Sequence, residues 1–242
     1  MSKGAPAGSA SGRGRVEGEG NVANCRDILP SMARGFFITF EGGEGTGKST
    51  QIARLAERLR ENGREVVVTR EPGGTPLAEA VRAVLLDPGQ DPDGLAEIFL
   101  LEAARRDHVT RVIRPALERG AVVLCDRFGD SSWVYQGVVR GVGEKVVEDL
   151  NELATGGLDP DLTVIFDLDP KTGLGRAHDR NSTTGSHESR LDEEPLEFHE
   201  QVRSAYRRLA DLHPARVRQI DASGDPDEVY LRLLDALPEE LR

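Results

Sequence analysis

Phe36-Phe-Ile-Thr-Phe-Glu-Gly-Gly-Glu-Gly-Thr-Gly-Lys-Ser-Thr50 decides how the rest of the chain is read. The first six residues are an almost continuous apolar run, as expected of a parallel strand covered on both faces. The run turns into Gly42, four residues, Gly47, Lys48 and Ser49, which satisfies G-x-x-x-x-G-K-[ST]. Glycines at these places let backbone N–H groups converge on phosphate oxygens, and the helix beginning at Lys48 adds its positive dipole end. Residues Gly42, Gly43, Glu44, Gly45, Thr46, Gly47, Lys48, Ser49 and Thr50 are therefore the candidate ATP-binding set. Lys48 should reach the β- and γ-phosphates, and the Ser49 hydroxyl should ligate Mg²⁺.

Outward from this stretch, apolar runs alternate with amphipathic ones. Strands are expected at Phe36–Glu41, Glu65–Arg70, Val122–Asp126, Leu162–Asp167 and Arg218–Asp221. Helices are expected near 48–61, 76–86, 94–119, 143–154, 171–180, 192–212 and 226–236. FFITF, VVV and VVLC are each unbroken and apolar, so all three are expected to be covered on both faces. The alternation predicts an α/β chain: a phosphate-loop NTPase fold with a doubly wound, five-stranded parallel sheet and helices on both faces. Residues 34–242 form one folded domain in this reading. The polar stretch Arg180–Arg190 is expected to be a mobile loop.

Composition narrows the function. The net charge of −11 gives no global basic surface for nucleic acid, so an anionic substrate must be held by local positive groups. No apolar stretch approaches the roughly 20 residues needed to span a bilayer. Cys25 and Cys125 lie too far apart in sequence for metal-ligand spacing; a buried free thiol at Cys125 and a reducing, cytoplasmic compartment fit. Residues 1–33 are rich in Gly, Ala and Ser and read as a disordered extension. A translation start upstream of the true one is an equal alternative, because Met32 directly precedes the folded pattern.

A phosphate loop specifies a superfamily rather than a reaction. No guanine-specifying N-K-x-D follows it, which favours a small-molecule kinase by elimination. Three further segments fall where a doubly wound fold gathers strand ends: TREPGGT (Thr69–Thr75), the helical AEIFLLEAARRDHV carrying Arg105 and Arg106, and DRFGDSSWVYQG (Asp126–Gly137). With PDLT at Pro160–Thr163 these motifs occur in the order found in bacterial thymidylate kinase, which the chain resembles from about Phe36 to its end. The resemblance implies a homodimeric, Mg²⁺-dependent enzyme that transfers the γ-phosphoryl group of ATP to dTMP, with 34–242 as its nucleoside monophosphate kinase domain and a small lid at about 171–195.

The same resemblance implies roles on the acceptor side. Arg127 would grip the acceptor phosphate through a bidentate fork. Asp126 would act near Mg²⁺ or the lysine. Arg70 would add charge on the same side, the alternative being a structural Arg70–Glu71 pair. Glu44 would accept from the 3′-hydroxyl of the sugar, and Arg105 would donate to a base oxygen. Ser131, Ser132, Tyr135 and Gln136 match positions lining base and deoxyribose, with Tyr135 guarding against a 2′-hydroxyl; Trp133 and Tyr135 also suit a core. Relatives place an aromatic four residues before the arginine, where this chain has Leu101; Phe99, about 200° round the helix, is expected to face elsewhere.

Some family members carry an arginine in the loop at the position of Gly45. Its absence points to the subgroup supplying arginines from a lid, the candidates being Arg176, Arg180 and Arg190. Asp221–Gly224, after the last strand, is expected to border the adenine. A kinase for another nucleoside monophosphate and a non-catalytic ATP-binding switch are the competing readings.

Overall fold

In the computed structural model the backbone is described over residues 34–184 and 194–242, with side chains described outside 180–193. Five strands, β1 Phe36–Glu41, β2 Val66–Arg70, β3 Val122–Asp126, β4 Leu162–Asp167 and β5 Val217–Asp221, make one sheet in the order β2-β3-β1-β4-β5. All four pairings are parallel. β1 pairs with β3 on one side and β4 on the other, so the winding reverses there; a crevice at the carboxyl ends follows, the usual ligand position in such sheets. The register brings Arg70 level with Asp126, and Asp167 level with Asp221, at that same end.

Alternate strand residues serve opposite faces. Ile38, Phe40, Leu124, Val164 and Phe166 pack under α1 (Lys48–Glu61), through Ile52, Leu55 and Leu59, and under α9 (Pro226–Ala236), through Val229 and Leu233. Phe37, Val123 and Cys125 turn to the opposite face, against Val109, Ile113 and Leu117. VVLC of β3 is buried throughout, as expected. VVV of β2 is not: β2 lies at the sheet edge and Val68 is 46% exposed. An unbroken apolar run marks a strand without marking its place in the sheet.

The remaining helices are α2 (Pro76–Leu86), α3 (Gly94–His108), α4 (Arg114–Glu118), α5 (Gly129–Ser132), α6 (Glu144–Thr155), α7 (Pro170–Thr184) and α8 (Leu196–Leu212). The single helix expected over 94–119 is broken by a π-helical turn, Val109–Ile113. Pro115 lies just beyond it and brings no N–H to the ladder, which accounts for the wider turn. A second π-helical stretch, Trp133–Val139, extends α5 and buries Trp133, Val134 and Tyr135. The expected extension at 1–33 and most of the loop 180–190 lie outside the described residues; the described part, 180–184, is not a loop but the last turn of α7.

Candidate active site

The donor side is built mainly of backbone. Gly42, Gly45 and Gly47 hold positive φ values of 135°, 66° and 86°. They bend the chain from β1 into the amino end of α1, where backbone N–H groups lack intrahelical partners. Lys48 is buried, and its ammonium donates to the carbonyls of Gly42 (3.2 Å) and Gly43 (3.1 Å) and to the Thr46 hydroxyl (3.3 Å). Burial, with Arg127 nearby, holds its pKa below the usual lysine value. The Ser49 hydroxyl donates to Asp126 Oδ2 at 3.3 Å, while Asp126 Oδ1 is buried with no hydrogen-bond partner among the described residues. An orphaned carboxylate oxygen beside a serine hydroxyl fits a hard cation whose other ligands come from phosphate and water.

The loop also rests directly on α7. A Cβ on Gly45 would lie 1.9 Å from the Gly173 carbonyl oxygen, and one on Gly173 would lie 2.3 Å from the Glu44 carbonyl oxygen. No side chain fits at Gly45, so an arginine there is sterically excluded while α7 holds this place. Arg176, one turn further along α7, points its guanidinium at the carbonyls of Ala222 and Gly224, both at 3.5 Å. It thereby ties α7 to the stretch after β5 expected to border the adenine. The side chain of Arg180, and the whole of Arg190, lie outside the described residues.

Side chains build the acceptor side. A cavity of about 90 Å³ is lined by Leu101, Arg105, Arg127, Ser131, Ser132, Tyr135 and Gln136 together with Glu71, Pro72 and Phe128. The sequence-derived base and sugar set therefore converges on one cavity. Phe99 is 56% exposed, so Leu101 alone represents that stretch of α3 in the wall. Arg127 adopts φ 69°, a left-handed conformation that costs a non-glycine residue roughly 1–3 kcal/mol. Its guanidinium donates to Glu44 at 2.6 Å and to Ser131 and Tyr206, each at 3.3 Å, and lies 5.3 Å from the Tyr135 ring centre. The strained backbone aims the fork across the cleft at the phosphate loop. Gln136 donates to Glu97 at 2.9 Å.

Arg70 and Glu71 do not pair with each other. Arg70 reaches Glu79 at 3.0 Å on the surface, while Glu71 turns inward to Arg105 at 2.8 Å and His108 at 2.9 Å. Sequence reasoning missed Glu71, His108 and Asn151. It also missed Glu41, whose carboxylate accepts from the Phe128 N–H (2.8 Å), Ser131 (2.6 Å) and Tyr206 (2.8 Å). Burial, reinforced by Asp130, pushes the Glu41 carboxyl up to about 7. The available signal was a carboxylate closing an otherwise apolar strand. Cys125 is buried, donates to the Arg127 carbonyl at 3.1 Å, and has its thiol pKa pushed up by burial, which leaves it inert.

A second, wider cleft of about 380 Å³ runs along Glu44–Thr50, Arg70, Arg82 and Asp126. Glu71 and Arg127 line both spaces, so the phosphate cradle opens onto the acceptor cavity at those two residues. A phosphate loop whose cleft opens, at Glu71 and Arg127, onto a second cavity lined by polar side chains is the arrangement of a phosphate-loop kinase of small molecules.

The comparisons with known proteins narrow the class. A family model described as thymidylate kinase matches residues 40–231. The thymidylate kinase of Desulfovibrio desulfuricans is 51% identical over 211 residues, covering 85% of this chain and 96% of its own. That of Halalkalibacterium halodurans is 48% identical, covering 87% and 99%. A crystal structure of thymidylate kinase from Ehrlichia chaffeensis matches with a TM-score of 0.68 at 34% identity, over 84% of this chain and 98% of that one. The chain belongs to the thymidylate kinase family, nucleoside monophosphate kinases that transfer the γ-phosphoryl group of ATP to dTMP, giving dTDP and ADP; this is its reaction.

Proposed function

We propose a division of labour in which the donor side acts through backbone and the acceptor side through side chains. The observation that carries it is the sharing of Glu71 and Arg127 between the two spaces. The amides of Gly42–Thr50 and the Lys48 ammonium hold the β- and γ-phosphates of ATP, with Asp221–Gly224 beside the adenine. Ser49 and Asp126 hold Mg²⁺, which neutralises phosphate charge when bound. Arg127 leaves Glu44 for the dTMP phosphate and orients it in line with the γ-phosphoryl, while Glu44, released, accepts from the 3′-hydroxyl. Tyr135 closes the space a 2′-hydroxyl would need. Leu101, Arg105, Ser131, Ser132 and Gln136 enclose the sugar and base, and Arg70 adds charge at the rim. Arg176, Arg180 and Arg190 bring transition-state charge from the lid.

The protein works as a cytoplasmic homodimer in this reading. Leu77 and Val84 of α2, Leu95 and Phe99 of α3, and Val146 and Leu153 of α6 are all exposed, on helices that pack against one another. Such an apolar face suits a second copy. Light scattering on the purified chain should give twice the monomer mass; the monomer mass alone would overturn the dimer.

Arg127 decides the acceptor assignment. Arg127→Lys keeps the charge and loses the fork, so kcat/KM for dTMP should fall about 30-fold or more with KM for ATP within about threefold. An unchanged dTMP parameter would remove Arg127 from the phosphate. In the same assay, alanine variants of Arg176, Arg180 and Arg190 that all keep kcat within about threefold would refute the lid charge.

A further inference from the structure

Behind the acceptor cavity runs a chain of side chains that the phosphoryl-transfer roles leave unused. Thr69 Oγ1 lies 2.6 Å from His108 Nε2, and His108 Nδ1 lies 2.9 Å from Glu71 Oε1. Glu71 Oε2 accepts from Arg105 Nε at 2.8 Å. His108 is 0% and Arg105 2% exposed. An ionised carboxylate only accepts, so the imidazole carries its proton on Nδ1, and Nε2 accepts from the threonine hydroxyl. Donation then runs from Thr69 on strand β2 through His108 to Glu71, where it meets the donation arriving from Arg105, with no charge required on the histidine. The TREPGGT turn is shaped around this imidazole. A Cβ on Gly74, which holds φ 83°, would lie 2.7 Å from the His108 ring.

Arg105 has five N–H donors. Nε serves Glu71; Nη1 serves Glu102 and, at 2.5 Å, Asn151; Nη2 serves Ser132 at 3.1 Å. Among the described residues four donors are committed, and one Nη2 hydrogen is left on a guanidinium that lines the cavity. We propose that His108 is a positioning residue for nucleobase selectivity. Through Glu71 it locks Arg105 so that a single N–H meets the base. A lone fixed donor takes the 4-keto oxygen of thymine, whereas the 4-amino group of cytosine presents a donor to a donor and leaves a buried N–H unpaired. This inference rests on the reading that the base lies against Arg105.

The test compares kcat/KM for dTMP and dCMP on the full-length enzyme. His108→Leu should lower the dTMP-to-dCMP ratio by about 10-fold or more, with KM for ATP within about twofold. His108→Asn, which places an amide N–H near the Nδ1 position, should restore the ratio to within about threefold of the unsubstituted enzyme. A folded His108→Leu enzyme that loses both substrates in parallel, or keeps the ratio, overturns the proposal. Where His108→Leu fails to fold, the isosteric Thr69→Val carries the comparison: a ratio lowered about threefold supports the relay, and an unchanged one overturns it. Arg105→Lys separates the two readings. If it keeps the ratio, the base does not lie on Arg105. If it loses the ratio while His108→Leu keeps it, the histidine alone is misassigned.

Discussion

Under the proposed division of labour, the two halves of this active site are made of different material. The donor half is backbone: three glycines with positive φ, a helix amino end, and a place where Gly45 and Gly173 leave no room for a β-carbon. The acceptor half is made of two clusters of buried or half-buried side chains, Glu41 with Arg127, Ser131 and Tyr206, and Glu71 with Arg105 and His108. Phosphate is the same in every nucleotide, and a cradle of amides needs only the correct curvature. A nucleoside differs from its competitors by single groups. Discriminating among them requires polar side chains whose spare hydrogen bonds are counted and aimed.

The comparison breaks most visibly at Gly173. Gly173→Ala brings a methyl to 2.3 Å from the Glu44 carbonyl oxygen, a backbone atom that cannot swing aside. Elsewhere in a helix this change would gain about 1 kcal/mol of propensity. Here the loop or α7 must shift by several tenths of an ångström, and kcat should fall about 10- to 100-fold through misplacement alone. Differential scanning of the variant should show a lower Tm, an overpacking loss of about 1–3 kcal/mol having outweighed the propensity gain. A variant with kcat within twofold and a raised Tm would show that the donor half does not depend on this contact.

The same difference in material explains how much of the molecule was legible in its sequence. A phosphate loop is a local object, so FFITFEGGEGTGKST carried strand, turn, helix and chemistry in fifteen consecutive residues. The sheet was legible from its apolar runs, except that VVV says nothing of β2 lying at an edge. Leu101, Arg105, Ser131, Ser132, Tyr135 and Gln136 were legible only by resemblance to a family, because Arg105 and Ser132 meet from 27 residues apart. The partners that orient them were not legible at all. Glu71 looked like half of a structural Arg70–Glu71 pair, and nothing local tells an inward carboxylate from an outward one until β2, α3 and α6 have packed. Asn151 reaches Arg105 across 46 residues.

A smaller effect probes the first of these clusters through Glu41. Its carboxyl, pushed up by burial and by Asp130 to about 7 from an ordinary value of 4.5, binds a proton more tightly folded than unfolded. The stability this contributes is complete below the ordinary value and drains away as pH rises through about 7. Between pH 6 and pH 8 the linkage amounts to about 1 kcal/mol, or a Tm decline of a few degrees for a domain of this size. Glu41→Gln cannot ionise, yet its amide still accepts from the Phe128 N–H and can donate toward the Ser131 and Tyr206 hydroxyls. The variant's Tm should therefore decline less steeply over that interval. The donor half supplies the control, since Gly173→Ala leaves every titrating group in place and should keep the original slope while lying lower throughout. Parallel slopes for Glu41→Gln and the unsubstituted chain would mean that Glu41 is ionised across the whole range. That cluster would then be held by a full negative charge under Arg127, rather than by a carboxyl that shares its proton with the folded state.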